Sequence, residues 1–251
     1  MTISAAHRDW QTATATRFHQ ETPRVTSITF EVLLWAGHMA GQHVDIRLTA
    51  EDGYQAERSY SIASPAGAAA RVELTVERIA DGEVSPFLTQ ELRAGDAIEL
   101  RGPIGGYFTW DPAGTMPLML IAGGSGVVPL MSMLRTRCQA GSRASARLLY
   151  SSRSIEDIIY RDELDQLVAY RDGFTLVHTL TRRVPEGWVG HNRRVDSDML
   201  AECGFQPDRE PQIFVCGPTP FVETVADQLL GLGHRESAIR TERFGPTGDK
   251  R

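Results

Sequence analysis

The sequence predicts two domains: an antiparallel β-barrel over residues 1–112 and an α/β domain with a parallel sheet over residues 113–251. Three observations carry this. Short apolar and β-branched runs, punctuated by glycine and proline, fill the chain from about Thr12 to Trp110. Strand and helix patterns alternate after Asp111–Thr115 (Asp-Pro-Ala-Gly-Thr), the best linker candidate. Pro117 to Leu134 joins a continuous apolar run to a glycine turn and then to a helix-period apolar pattern.

In the first half, strands are expected at Val25 to Leu34, Gln42 to Leu48, Arg58 to Ser64, Arg71 to Ile79 and Ala97 to Leu100. Val44, Ile46 and Leu48 share one side of their strand by alternation. A short helix is expected at Ser85 to Arg93, where Phe87, Leu88 and Leu92 share a face and Ser85 is the expected N-cap. In the second half, strands are expected at Met116 to Ala122, Ala146 to Ser151, Phe174 to Leu180, Gln212 to Cys216 and Ala238 to Glu242. Helices are expected at Val128 to Ala140, Arg161 to Arg171, Ser197 to Glu202 and Pro220 to Leu232. Such a βαβ series makes a mainly parallel sheet covered on both faces.

Hydrophobic content of 41% and charged content of 23% suit a globule with a real core. A net charge of −6 argues against non-specific nucleic-acid binding. No apolar run reaches membrane-spanning length, so no membrane insertion is expected. Met1 to Thr16 lacks the apolar core of a signal peptide, and a cytoplasmic location is expected. Cys138, Cys203 and Cys216 are odd in number and far apart, which disfavours a disulfide framework. They are too few for a four-thiolate iron–sulfur cluster, and no His/Cys grouping has zinc-site spacing, so no metal is expected. Lys250 is the only lysine, so any single arginine is less informative than usual. Oligomeric state is not legible.

Gly123-Gly124-Ser125-Gly126 lies between a strand and a helix. Glycines let the backbone approach a phosphate, and the helix N-terminus offers N–H groups and a partial positive charge. Gly124 and Gly126 fit the Gly-x-Gly-x-x-Gly fingerprint, but Pro129 stands where its third glycine belongs. A Gly-x-Ser-x-Gly hydrolase elbow fails at Val127. At the second parallel strand's tip, Ser151-Ser152-Arg153 replaces the acid that an NAD site uses for ribose hydroxyls; hydroxyls and an arginine suit a 2′-phosphate. Arg161, Arg182 and Arg183 extend that patch, unless they are merely solvated loop residues. Arg58-Ser59-Tyr60-Ser61 offers a phosphate ligand, a stacking ring and hydroxyls, with Arg58 and Tyr60 on one face; the alternative is a plain solvated strand. Gly82-Glu83-Val84-Ser85 is a second glycine turn opening a helix. Cys216-Gly217-Pro218-Thr219 ends a strand where open α/β sheets bind ligands, although such a cysteine is more often a small buried hydrophobe.

In their order these pieces resemble the ferredoxin–NADP reductase family, from about Thr12 to Phe244. The motifs are Arg-x-Tyr-Ser at Arg58 to Ser61, Gly-x-Val-Ser at Gly82 to Ser85 and Gly-Pro-x-Gly at Gly102 to Gly105. Gly-Gly-Ser-Gly-x-x-Pro at Gly123 to Pro129, Ser-Ser-Arg, Cys-Gly-Pro and a terminal Glu-x-Phe at Glu242 to Phe244 follow. Pro129 belongs to that family's pattern. The resemblance implies a six-stranded antiparallel barrel carrying FAD and a parallel-sheet domain for the pyridine nucleotide. By it, Arg58 meets the FAD pyrophosphate, Tyr60 stacks on the isoalloxazine, Ser61 bonds near flavin N5, and Ser59, Val76 and Arg78 line the pocket. Gly82, Glu83, Val84 and Ser85 surround the pyrophosphate. Gly124, Ser125, Gly126 and Val127 hold the nucleotide's phosphates, and Ser152 and Arg153, with Arg161, its 2′-phosphate. Cys216, Gly217, Pro218 and Phe221 lie near the nicotinamide, and Glu242 and Phe244 near the flavin.

The expectation is therefore a reductase that passes a hydride from NADPH, preferred over NADH, to FAD and then electrons to a separate acceptor protein. Ferredoxin, flavodoxin, a haem protein or an oxygenase component would serve. Ser61, Cys216 and Glu242 are the expected catalytic residues, aligning and polarising the rings where they meet between the two halves. Arg182, Arg183, Arg193 and Arg194 suggest a docking patch for an acidic acceptor. Two alternatives stay open: a non-catalytic flavin-bearing electron-transfer subunit or redox-sensing module, and a nucleotide-binding domain without flavin.

Overall fold

The computed structural model describes residues 9–67 and 70–245. The chain divides into two compact units. The first comprises the described residues up to Asp111 together with Met131–Thr136, and the second comprises Pro112–Leu130 and the chain from Arg137 onward.

The first unit is a six-stranded antiparallel sheet of strands β1 (Gln11–Thr22), β2 (Val25–Glu31), β3 (His43–Thr49), β4 (Gln55–Ser61), β5 (Arg71–Glu77) and β6 (Ala97–Ile104). Their order is β4-β3-β6-β1-β2-β5. The edge strands β4 and β5 are linked by the bridge Ile62↔Leu74, which turns the sheet into a barrel. Alternation fills its interior: Ala13, Ala15, Ile28, Phe30, Val44, Ile46, Val72, Leu74 and Leu100 are fully buried in one cluster. β1 runs longer than any apolar signal marks, because its fully buried apolar positions are Ala13 and Ala15 between threonines, with Phe18 packed half-buried against the core. After β5 a turn leads to α1 (Val84–Pro86), which continues as a π-helical turn over Phe87–Glu91. Leu92 N–H closes that turn on Phe87 O at 2.9 Å.

Ser85 does not cap this helix as expected. Glu83 holds the N-cap position without a side-chain bond. Ser85, one residue inside the helix, accepts from Ile79 N–H at 3.0 Å and so closes the preceding turn instead. The strand expected from Arg58 begins at Gln55 and ends at Ser61, because the polar Gln55, Glu57 and Ser59 occupy its exposed face.

The second unit carries a five-stranded parallel sheet of β7 (Leu118–Gly123), β8 (Ala146–Ser152), β9 (Phe174–Leu180), β10 (Gln212–Pro218) and β11 (Ile239–Phe244). The order is β11-β10-β7-β8-β9. All of β7 is buried, as a central strand with both faces covered must be. Helices α2 (Val127–Gln139), α3 (Arg161–Ala169), α4 (Ser197–Cys203) and α5 (Thr219–Gly231) make the crossovers. The chain steps outward from β7 to β9 and then returns to the other side of β7. The switch point therefore lies between the tips of β7 and β10, where such sheets bind ligands. No helix among the described residues is long and apolar enough to cross a membrane.

Candidate functional site

In the barrel, Arg58 pairs with Ile46 and Tyr60 with Val44 across the ladder, so both lie on the core-facing side of edge strand β4. Tyr60 packs against the core cluster, and burial pushes its phenol pKa well above the usual value. The ring stays neutral, as a stacking surface should. Arg58 Nη1 donates to its neighbour's carbonyl, Glu57 O, at 2.7 Å, and no carboxylate partner is found for it among the described residues. A guanidinium without an acid beside a half-buried neutral ring fits the charge and flat shape of a flavin nucleotide.

Ser59 departs from the expected set. It lies on the opposite face of β4, where its hydroxyl donates to Asp45 Oδ1 at 2.7 Å. Arg101 Nη2 reaches the other oxygen of Asp45 at 2.7 Å. That network holds Asp45 below the usual carboxylate range against the opposing pull of burial. Val76 and Val84 are core residues, 0% and 1% exposed, so the structure places both in the barrel interior rather than on a pocket surface. Arg78 N–H is tied to Arg24 O at 2.8 Å. A Cβ on Gly82 would stand 3.2 Å from Ile79 O and Ser85 Oγ, so the turn has little room for a side chain. Glu83 is held by Tyr54, whose hydroxyl lies 3.1 Å from both carboxylate oxygens. Ser61 ends β4 and is buried.

At the tip of β7 the glycines have separate reasons. Gly124 sits at φ +56 with open space around its missing Cβ, so backbone conformation demands it. Gly126 is demanded by packing: a Cβ there would lie 2.2 Å from Cys216 O and 2.7 Å from Gly217 N. A Cβ on Gly123 would meet the Phe221 ring at 2.9 Å. The expected nucleotide loop, Gly124 to Val127, and the expected Cys216–Phe221 segment are thus brought against each other. Cys216 is fully buried, and burial, with Glu242 beside it, raises its thiol far above the usual value, so it stays a neutral thiol. Glu242 is opposite Cys216 in the β10–β11 ladder, with Phe244 opposite Pro218.

At the tip of β8, Ser152 is 4% exposed and its hydroxyl has no hydrogen-bond partner among the described residues. A buried orphan hydroxyl costs about 1–3 kcal/mol unless a ligand or water meets it. Its neighbour Arg153 is exposed and accepts at its carbonyl from Arg182 N–H (2.9 Å) and Arg183 N–H (3.0 Å), which gathers three arginines at one strand tip. Hydroxyl, guanidinium and an open glycine turn fit a phosphorylated nucleotide. Arg161 opens α3 and is exposed. The expected docking patch is weaker than its sequence: Arg193 is paired with Asp196 at 2.6 Å and Arg183 with Glu156 at 3.3 Å.

His178 was not singled out by the sequence. It faces Tyr150 on the neighbouring strand, with ring centroids 5.6 Å apart, and its buried Nδ1 has no partner among the described residues. Burial lowers its pKa to about 4. The folded state therefore keeps it neutral, while the unfolded chain would take up a proton below about 6.5. Its contribution is fully present above that pH and is lost as pH falls from about 6.5 to 4. Urea unfolding should show stability falling by about 2–3 kcal/mol across this window, and His178→Phe should flatten the fall. An unchanged slope in the variant would remove His178 as its source.

Comparison with known proteins gives the family of the two units. Residues 30–109 match the oxidoreductase FAD-binding domain family and residues 120–227 the oxidoreductase NAD-binding domain family. A ferredoxin–NADP reductase B of Sorangium cellulosum is 36% identical over 210 residues, covering 82% of this chain and 84% of that protein. The chain belongs to the ferredoxin–NADP reductase family. The glycine betaine monooxygenase reductase subunit of Pseudomonas aeruginosa is 34% identical over 211 residues, 82% of this chain, and this chain spans only 56% of its length. Among solved structures, the FAD/NAD-binding domain of a nitric oxide dioxygenase from Vibrio cholerae superposes with a TM-score of 0.84 at 25% identity, covering 95% of this chain and all of that one. The FAD-binding match falls on the barrel unit and the NAD-binding match on the sheet unit.

Proposed function

We propose that this protein is an NADPH-dependent flavoprotein reductase serving a separate electron-acceptor protein in the cytoplasm. The observation that supports the choice of NADPH is the buried Ser152 hydroxyl, unpartnered among the described residues, beside the exposed Arg153. Bound FAD and nicotinamide would supply the hydride and electron-transfer chemistry. The chain's part is binding and alignment. Tyr60 supports the flavin ring, Arg58 meets its pyrophosphate, and the Gly82–Ser85 turn lies against the same phosphates, its Gly82 N–H already held by Ile79 O at 3.0 Å. Gly124 to Val127 receives the nucleotide phosphates at the start of α2, and Gly217, Pro218 and Phe221 flank the nicotinamide. Ser61, Cys216 and Glu242 position the reacting rings, and no general base is needed for the hydride step.

The acceptor is an oxygenase component, haem protein, ferredoxin or flavodoxin. The Pseudomonas relative named as a monooxygenase reductase subunit supports the first of these. Three widely separated cysteines suit a reducing compartment.

The decisive experiment is a spectrum of the purified protein before and after anaerobic NADPH. Bands of oxidised flavin should be present and should bleach on addition. A colourless protein that takes up no flavin sinks the proposal. Turnover with an artificial acceptor separates this reading from a non-catalytic electron-transfer subunit.

Two variants probe the assignment. Arg153→Ala should weaken NADPH by about 1.5–3 kcal/mol in kcat/KM while leaving NADH nearly unchanged. Equal losses with both nucleotides would refute the 2′-phosphate role. Tyr60→Ala should lower the flavin content of the purified protein several-fold, and unaltered flavin stoichiometry would remove Tyr60 from the stacking position.

A further inference from the structure

We infer that His191, Glu202 and Cys203 form a binding site for a divalent cation of the zinc class. Their imidazole nitrogen, carboxylate oxygen and sulfur all lie within 4.8 Å of one another. Cys203 Sγ stands 3.6 Å from His191 Nε2. Zinc bonds of about 2.3 Å to sulfur and about 2.0 Å to nitrogen, at a tetrahedral angle, place those two atoms about 3.5 Å apart. The pair already has the separation that a shared ion requires.

Both ligand-bearing segments are fixed by other bonds. His191 bridges β9 at Thr179. Its N–H donates to His178 O at 3.1 Å, and its carbonyl accepts from Leu180 N–H and from Trp188 Nε1, each at 3.0 Å. Cys203 is the last residue of α4, and Gly204 N–H closes that helix on Leu200 O at 2.9 Å. Glu202 and Cys203 thus sit at a helix C-terminus, where the backbone's partial negative charge favours a cation. Mixed nitrogen, sulfur and oxygen donors select a borderline metal over magnesium or calcium, which take oxygen ligands. Three protein ligands leave the fourth position to water. Bound there, the ion would fasten the β9–α4 connection to the end of α4.

Sequence spacing hides the site, because His191 and Cys203 meet only after the loop following β9 folds back. Arg193 opposes binding. Its Nη1 lies 3.3 Å from His191 Nδ1, while its Nε is paired with Asp196 at 2.6 Å. Metal at Nε2 puts the imidazole proton on Nδ1, where a carboxylate acceptor is wanted rather than a guanidinium. Arg193 must turn aside, while Asp196 keeps its cap bond from Met199 N–H through Oδ1 at 2.9 Å.

The test is alkylation of the whole folded protein with iodoacetamide, with and without zinc, mapped by peptide mass. Cys138 is exposed and serves as the internal reference. Zinc should slow labelling of Cys203 by about tenfold or more and leave Cys138 unchanged. His191→Gln should abolish the protection, and Arg193→Ala should lower the zinc concentration that gives it. Equal Cys203 labelling with and without zinc in the unmodified protein overturns the proposal, as does protection that survives His191→Gln. These readouts do not depend on flavin or nucleotide binding.

Discussion

Gly126→Ala is expected to lower the stability of the sheet unit by about 3 kcal/mol or more and to abolish measurable nucleotide binding. The added Cβ would lie 2.2 Å from Cys216 O, 2.4 Å from Cys216 C and 2.7 Å from Gly217 N. All three are main-chain atoms. Cys216 is paired with Ala122 on one side and Glu242 on the other, so β10 cannot recede without breaking two ladders. The loop would have to lift instead, and it carries the N–H groups proposed to meet phosphate. Thermal unfolding and nucleotide titration check this, with flavin content as the control for an intact barrel. A variant that melts like the parent and binds nucleotide normally would show that the loop has slack.

Arg137→Ala should destabilise the same unit by about 2–4 kcal/mol with little direct effect on the proposed hydride chemistry. The Arg137 side chain is 3% exposed. It donates to Ala144 O at 2.7 Å, to Asp172 Oδ2 at 2.6 Å and to Asp172 O at 2.7 Å. Alanine leaves those acceptors short of donors and opens a hole at the end of α2. Asp172→Ala should cost less, because Asp172 is 39% exposed and the arginine keeps its two carbonyl partners. Urea midpoints of the two variants give the comparison, and a larger loss from Asp172→Ala would reverse the assignment.

The architecture was legible where periodicity was strong. The apolar run of β7 and the alternation of β3 were readable because burial on one or both faces leaves a plain pattern. β1 was not delimited, since alanine and threonine carry little apolar signal. The Gly-Gly-Ser-Gly turn was recognised, but the reason for Gly126 was not: it answers to the backbone of a strand some ninety positions later. Ser59 was grouped with its motif neighbours, although the two-residue period turns it away from Arg58 and Tyr60. That the Ser152 hydroxyl is buried and unpartnered among the described residues is a feature of tertiary packing that its motif does not show. His178 and the His191–Cys203 pair carry no local signature, because tertiary contacts create their environments.

Helix residues Met131–Thr136 count with the barrel. Ser132 Oγ donates to Ser64 O at 2.7 Å, Thr136 Oγ1 accepts from Ala66 N–H at 2.8 Å, and Arg135 pairs with Glu73 at 2.6 Å. The Asp-Pro-Ala-Gly-Thr peptide is consequently a poor place to divide the gene. A fragment ending at Asp111 would lack six residues that its own carbonyls, amide and carboxylate are built to meet. Swapping flavin modules between relatives should succeed only when this stretch of helix travels with them.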